Sequence, residues 1–210
     1  TRDMADYSSW AGVDLVKEAR ALAKKHGSIV ALDVGGGRGT AMADLRKKLK
    51  NKVAEAHVTS LVPHWPILED EVPTFAPKYV PIVHVAHSEK LPLANGSTHL
   101  VVSIRGATWY TTDTVHRSVS EITRTMGSGA KAFLQIREPK PEMESKLRML
   151  LDGQKIKWSY KYGILAQVRG DNNRDIIRVV NTAEERNELS GKLPKHFNQV
   201  TPYRVLCLEK

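Results

Sequence analysis

A glycine-rich stretch at residues 33–40 is the part of this sequence whose residue types and spacing are best suited to chemistry. It reads Asp-Val-Gly-Gly-Gly-Arg-Gly-Thr, follows the apolar run at residues 29–32 and precedes a helical pattern that begins near Ala41. Glycine lets the backbone adopt positive φ and approach a ligand with no Cβ in the way. The first N–H groups of a helix have no partner within the helix. The order strand, glycine turn, helix therefore predicts a cradle for a nucleotide-like ligand.

The spacing of the glycines separates two kinds of cradle. A dinucleotide-binding turn has the pattern G-x-G-x-x-G, and its sixth position is Thr40 in this chain. The pattern present, Asp-x-Gly-x-Gly-x-Gly, resembles the first motif of class I S-adenosylmethionine-dependent methyltransferases. The resemblance implies S-adenosylmethionine as the cofactor. The residues of this loop that would bind it are Asp33, Gly35, Gly36, Gly37 and Gly39. The alternative is an ordinary tight turn, which needs fewer glycines.

The spacing of apolar residues predicts alternating helices and strands in one domain. Helices are expected at residues 11–26, 41–49 and 114–126, and the glycines at 127 and 129 are expected to end the last of them. Strands are expected at residues 28–34, 53–61, 79–86, 100–104 and 131–136. Residues 164–169 and 174–180 indicate a hairpin about a turn at 170–173. This alternation is typical of an α/β fold with a doubly wound, mostly parallel central sheet.

The likeness to class I methyltransferases extends past the glycine loop. Residues 88–97 resemble the link between the third and fourth strands, residues 100–103 the fourth strand, and residues 121–124 the helix before the fifth strand. Residues 205–208 resemble the last strand, which in that family inserts antiparallel beside strand five. We therefore expect a single methyltransferase-like domain over residues 1–210. Its expected parts are a cofactor-binding half at 1–137, a basic insertion near strands five to seven at 138–195, and the last strand at 196–210.

Three positions depart from the family pattern. Ser60 stands where an acidic residue usually ends strand two and accepts hydrogen bonds from the ribose hydroxyls. His87 stands where an Asp often reads the adenine amino group, and His99 where an Asp commonly begins strand four. The resemblance implies that Ser60 faces the ribose and His87 the adenine, with Ser103 at the end of strand four also beside the cofactor. Asp33 would orient the loop or the cofactor amine.

Two functions remain open at this point. The first is an S-adenosylmethionine-dependent methyltransferase acting on RNA or another polyanion, with a small-molecule substrate as a variant. The second is a catalytically degenerate methyltransferase-like module that binds nucleic acid or a protein partner in a larger assembly. A hydrogen bond to a charged group is worth about 1.5–3 kcal/mol. Loss of the ribose carboxylate would therefore weaken cofactor binding, which favours the second function.

Candidate substrate contacts follow strand four, where cofactor and substrate meet in the resembled family. They are Arg105, Trp109 and Tyr110, and the two aromatic residues are expected either to stack on a base or to belong to the core. The Asn/Asp-Pro-Pro-Tyr/Phe motif of amino-directed nucleic-acid methyltransferases does not follow that strand. Cys207 is badly placed for the nucleophile of a base-carbon methyltransferase. No catalytic residue is assigned, and no metal site is predicted.

A net charge of +9 over 210 residues suggests a polyanionic partner, with nucleic acid first. Strand alternation over residues 155–162 would place Lys155, Lys157 and Lys161 on one face and the aromatic side chains, including Trp158, on the other. This basic hairpin is a candidate RNA-binding surface. The alternative is a strand with buried aromatic residues and solvated lysines.

The sequence also indicates a compartment. Cys207 is the single cysteine and cannot form an internal disulfide, which fits a reducing, cytoplasmic environment. No apolar run reaches the roughly 18 residues that a membrane-spanning helix needs, and no signal peptide is recognisable, so no membrane association is expected. Because the first residue is Thr1 and not Met, we expect a piece of a longer polypeptide.

Overall fold

Helices and strands alternate through most of the chain. The computed structural model describes residues 2–61, 77–110, 113–167, 176–193, 197 and 199–210. The helices are α1 (Met4–Ala11), α2 (Leu15–His26), α3 (Thr40–Leu49), α4 (Ala107–Tyr110), α5 (Val115–Thr125), α6 (Pro141–Gly153) and α7 (Ala183–Gly191). The strands are β1 (Ile29–Val34), β2 (Val53–Ser60), β3 (Ile82–Val85), β4 (Thr98–Ser103), β5 (Met126–Arg137), β6 (Lys157–Gln167), β7 (Ile176–Val180) and β8 (Gln199–Glu209).

All eight of these strands form a single mixed sheet in the order β3-β2-β1-β4-β5-β8-β6-β7. The first five are mutually parallel, and β8 lies antiparallel between β5 and β6. The expected α/β fold is confirmed, as is a last strand antiparallel to strand five. The turn expected at residues 170–173 lies outside the described residues, although β6 and β7 do pair antiparallel.

The segment 138–195 was expected as a basic insertion, and the structure gives a different picture. It forms α6, β6, β7 and α7, and both of its strands belong to the central sheet. Strand β6 pairs with β8 from Lys157 to Gln167 without a break. The reason is that one face of β6 is apolar enough to be covered by α6, so the strand extends the sheet.

Helices cover both faces of the sheet. Helices α1, α2 and α3 share one cluster of buried residues with the sheet, to which Ala31, Val58 and Val102 belong. Helices α5 and α6 share the other cluster with Leu32 and Val101. Strand β1 is therefore apolar on both sides, as expected for a central parallel strand.

The amino-terminal end differs from the single helix expected at residues 11–26. Helix α1 begins after the N-cap Asp3, whose side chain accepts from Asp6 N while Asp6 caps in return. It ends at Gly12, which has a φ of 65°. The helix expected at 11–26 corresponds to α2 but begins four residues too early, because Gly12 ends α1 and Asp14 is the N-cap of α2. Helix α5 ends at Thr125, next to the glycines expected to end it, but β5 begins at Met126, five residues before the strand expected at 131–136.

Helix α1 is tied to the centre of the sheet by one buried hydrogen bond. The Tyr7 hydroxyl donates to Asp33 Oδ2 at 2.9 Å, where Asp33 is the penultimate residue of β1. Asp33 is fully buried. Burial raises the pKa of its carboxyl to about 7, against an ordinary value of 3.8, and the bond from Tyr7 opposes part of that rise.

The buried Asp33 gives the protein a definite pH dependence. Since its pKa is higher in the folded state, the folded chain binds more protons between pH 4 and pH 7, and stability falls as pH rises through that window. We expect Asp33→Asn to remove this fall, so that the variant gains up to about 4 kcal/mol relative to the parent between pH 4 and pH 7. Urea unfolding at a series of pH values measures it, and parallel profiles for parent and variant would contradict the assignment.

Tyr7→Phe is the matched control for this measurement. It removes the hydroxyl that lowers the pKa of Asp33 and keeps the ring. The fall in stability should therefore extend above pH 7 in Tyr7→Phe, whereas it should vanish in the double variant with Asp33→Asn.

Candidate functional site

A cavity of about 410 Å³ lies where the carboxyl ends of β1 and β4 meet. The sheet order reverses between these two strands, because the chain runs outward to β2 on one side and to β5 on the other. Such switch points are where open α/β sheets bind ligands. The cavity is lined by Arg2, Tyr7, Gly35, Gly36, Gly37, Arg38, Thr40, Ile104 and Arg105.

The glycine loop adopts a backbone that other residues would strain. Gly35, Gly37 and Gly39 have φ values of 81°, 57° and 73°. A Cβ on Gly35 would overlap Ala107 N, and one on Gly36 would overlap Asp33 Oδ2. The loop is therefore packed against the turn after β4 on one side and against a buried carboxylate on the other.

Gly37 differs from its neighbours because its Cα faces open space. A Cβ built there would have no atom within 4 Å. Gly37 also lines the cavity. It is consequently the point of the loop that a ligand can approach most closely.

Asp33 lies beneath the loop and not at the cavity wall. Its Oδ2 accepts from Tyr7, and its Oδ1 has no hydrogen-bond partner among the described residues. Because a Cβ on Gly36 would overlap this carboxylate, the position of Asp33 fixes where the loop can run.

The remaining candidate cofactor residues take different positions. Ser60 ends β2 and is nearly buried, and its carbonyl accepts from Ala86 N at 3.1 Å. His87 is exposed just after β3. Ser103 is buried, and its hydroxyl donates to Val34 O at 2.8 Å, so it joins the ends of β4 and β1 instead of lining the cavity. His99, near the amino end of β4, accepts from Val30 N and is remote from the cavity, which lies at the carboxyl ends of these strands.

The three candidate substrate contacts that follow β4 lie in different environments. Arg105 lines the cavity, with a positive φ of 48° and its N–H donating to Gln135 Oε1 at 2.8 Å. Trp109 is 4% exposed and lies in the core against Tyr203, so it cannot stack on a base in this structure. Tyr110 is 67% exposed.

The basic hairpin does not present the three lysines together. Lys155 precedes β6, with a positive φ of 56°. Lys157 is exposed on the strand, and Lys161 Nζ donates to Gly12 O at 2.8 Å. On the opposite face, Trp158 packs under α6 and its Nε1 donates to Asp152 Oδ1 at 2.9 Å. The aromatic face of β6 is therefore half-buried, with Trp158 and Tyr160 packed against the buried cluster that includes residues of α6.

Sequence reasoning missed the contribution of the amino-terminal helix and the loop arginine. Arg2 and Tyr7 line the cavity together with Arg38. Trp10 lies behind them, with the Arg2 and Arg105 guanidinium carbons each 4.9 Å from its ring centroid. The capping box at Asp3 was the available sign of this helix.

A second cavity, of about 340 Å³, lies at the carboxyl end of β5 beside α6. Thr108, Arg137, Lys140 and Lys146 are among the residues that line it, together with three carboxylate residues. Across the described parts of the chain, no three or more His, Cys, Asp or Glu side chains are placed to hold a metal ion. No helix in those parts is long and apolar enough to cross a membrane.

Comparison by sequence finds nothing similar. No protein-family profile matches the chain, and no curated protein matches it.

Comparison by structure finds many methyltransferases. Precorrin-6y C5,15-methyltransferase from Geobacter metallireducens superposes with a TM-score of 0.53, at 10% identity, over 94% of this chain and 88% of that one. A chain of the complex between the Haloferax volcanii Trm112 methyltransferase activator and a methyltransferase gives 0.53, at 16% identity, over 100% and 98%. Geranyl diphosphate methyltransferase with bound sinefungin gives 0.52, at 11% identity, over 92% and 77%. The chain therefore has the fold of the class I S-adenosylmethionine-dependent methyltransferases.

Proposed function

We propose that this protein is an S-adenosylmethionine-dependent methyltransferase that acts on RNA or another polyanion. The observation that carries the proposal is the glycine cradle at the switch point of a methyltransferase-type sheet. Three glycines with positive φ hold the loop open toward a cavity between β1 and β4. A tight turn alone would not need the open approach at Gly37.

The residues present fit the methionine end of the cofactor in shape. Gly35, Gly37 and Gly39 would surround it, and Asp33 would hold the loop from below. Ser60 would face the ribose with one neutral hydrogen bond, and His87 the adenine edge, where either ring nitrogen can hydrogen-bond. Gly36 and Ser103 would act through the backbone of the loop and through the β1–β4 contact.

When bound, the cofactor supplies the methyl group and the leaving sulfide. The part left to the protein is orientation of the two reactants, and no general base is assigned. Arg105, in the turn that follows β4, lines the cavity, and the exposed Tyr110 ends α4; both would contact the substrate.

The polyanion is supported by the charge of the whole chain, which is +9. Lys155 and Lys157 both belong to the segment 138–195 and have exposed side chains. Lys157 begins β6, and Lys155 precedes that strand by two residues. In this proposal residues 1–137 provide the cofactor site, and residues 138–195 provide much of the polyanion surface.

A second candidate function is a degenerate module that keeps the fold and binds nucleic acid or a protein partner. It is favoured by the absence of a carboxylate at Ser60, which lies at the end of β2. The Haloferax volcanii structure pairs a methyltransferase with an activator protein, which makes a protein partner a reasonable alternative for this chain.

Binding of the demethylated cofactor, S-adenosylhomocysteine, tests the cradle directly. We expect calorimetric binding by the parent and at least a tenfold loss in Gly37→Ala, because the new Cβ would occupy the approach of the ligand. Gly27→Ala is the matched control. Gly27 has a φ of 82° and also faces open space, but it lies at the end of α2, away from the cradle. Equal losses in the two variants would mean that strain alone is responsible.

Methyl transfer separates the two candidate functions. We expect purified protein to transfer a radiolabelled methyl group from S-adenosylmethionine to an RNA pool, because the cradle would hold the donor and the charge of +9 favours a polyanionic substrate. Binding of S-adenosylhomocysteine with no transfer to RNA, protein or small-molecule pools would favour the degenerate module.

The contribution of Lys155 and Lys157 to RNA binding should appear as salt dependence. Removing one lysine–phosphate ion pair lowers the slope of log K against log salt by about 0.7 for single-stranded RNA. The double variant Lys155→Ala/Lys157→Ala should therefore bind RNA more weakly and with a flatter slope, measured by fluorescence anisotropy. Lys161 is left in place because it bonds to Gly12 O. Lys47→Ala/Lys52→Ala removes the same charge elsewhere, at exposed lysines in and just after α3, and an equal effect there would contradict a specific surface.

A further inference from the structure

The second cavity, at the carboxyl end of β5, combines an apolar floor with a charged rim. Its volume is about 340 Å³. The floor consists of Val115, Ile136 and Met143, which are all buried in the cluster shared by α5 and α6. A concave space of this size, mostly apolar with a few polar groups at one side, suits a small organic ligand.

The rim of this cavity consists of six exposed charged residues, three of them acidic and three basic. Each of the acidic residues already has a cationic partner. The ion pairs are Asp113 with Lys140 at 3.8 Å, Glu142 with Lys146 at 2.8 Å, and Glu138 with both Arg186 and Arg204 at 2.6 Å. The two partners of Glu138 come from α7 and β8 and do not line the cavity. The described residues of the rim are therefore left with one cation in excess, which is Arg137.

Arg137 is the last residue of β5 and is held by an aromatic ring. Its guanidinium carbon lies 5.3 Å from the ring centroid of the buried Trp109. Within the part of the chain that the structure describes, this guanidinium makes no hydrogen bond or ion pair. An indole attracts the face of a guanidinium and leaves the N–H edge able to donate two parallel hydrogen bonds to a carboxylate.

The acidic residues of the rim limit which anion can approach Arg137. Glu138 and Glu142 keep their negative charges within their ion pairs. A phosphate monoester carries about two negative charges at neutral pH, so these side chains oppose it more strongly than they oppose a singly charged carboxylate. The floor favours an apolar body attached to that carboxylate, because burial of the body removes apolar surface from water.

We propose that the second cavity binds a small organic acid. Its carboxylate pairs with Arg137, and its apolar body packs on Val115, Ile136 and Met143. The inference depends neither on the methyl donor nor on the polyanion, so it goes beyond the proposed function.

Calorimetry with 2-naphthoate tests this site. The probe carries one carboxylate on an apolar body. We expect it to bind at least about tenfold more tightly than 2-naphthamide, which has the same body without the charge, or acetate, which has the charge without the body. Absence of 2-naphthoate binding at ~1 mM, or equal affinity for 2-naphthoate and 2-naphthamide, would overturn the inference.

Arg137→Gln removes the charge and keeps most of the side-chain length. It should weaken the binding of 2-naphthoate about tenfold and leave the binding of 2-naphthamide unchanged. The side chain is exposed, so the variant should fold, which circular dichroism checks. Arg20→Gln is the matched control, because it makes the same change of charge at an exposed residue of α2, on the other face of the sheet. An equal loss of affinity in both variants, or no loss in Arg137→Gln, would contradict the proposal.

Met143→Gln tests the floor separately from the charge. It places an amide at the apolar floor with nearly the same side-chain length, so the affinities for 2-naphthoate and 2-naphthamide should fall by similar factors. Unchanged affinity for both probes in the folded variant would overturn the inference. If Met143→Gln does not fold, the comparison of Arg137→Gln with Arg20→Gln decides alone. Binding of S-adenosylhomocysteine is measured on the same samples, and its outcome bears on the proposed function only.

Discussion

The close approach between the end of β1 and the turn after β4 is the constraint on which the rest of this structure depends. A side chain at Gly35 would collide with Ala107 N, and one at Gly106 would collide with Val34 O. The Ser103 hydroxyl bridges the same two strands by donating to Val34 O. With no side chains between them, the two turns lie close enough to share one cavity. The cradle therefore exists because the backbones of two loops, about 70 residues apart in the chain, lie in contact with no side chain between them.

The strands, the glycine loop and the last strand could be read from the sequence because each has a local pattern. Strand β1 is a short apolar run followed at once by glycines, and only a buried central strand combines these features. Residues 205–208 show similar apolar density. Helix α1 was missed because it is only eight residues long, and its apolar residues, among them Tyr7 and Trp10, are too few to establish a helical period before Gly12 ends it. Helix boundaries of this kind depend on capping residues. Capping residues give a weak signal in the sequence, although they determine where the helix ends.

Only part of the candidate site could be predicted from the sequence. Asp33 and the glycines are contiguous, so their spacing carried the prediction. Arg2 and Tyr7 reach the same cavity from the segment that precedes the motif, with Trp10 behind Arg2, and no periodicity relates these residues to the motif. Trp109 and Trp158 were ambiguous because alternation assigns residues to faces without saying which face another element covers. In the structure Trp109 is buried in contact with Tyr203, and Trp158 is half-buried beside α6. Lys161 was similarly a surface candidate until Gly12 O supplied its partner.

Helix α1 contributes a wall of the cradle and yet is only eight residues long. So short a helix gains little stability from its own backbone and depends on its packing against the sheet. Its docking buries Met4, Tyr7 and Trp10, and the same event brings Arg2 to the cavity. Ligand occupancy and helix docking are therefore thermodynamically linked, and each must strengthen the other by the same free energy. The stability of the docked amino-terminal helix should therefore change when a ligand binds in the cradle.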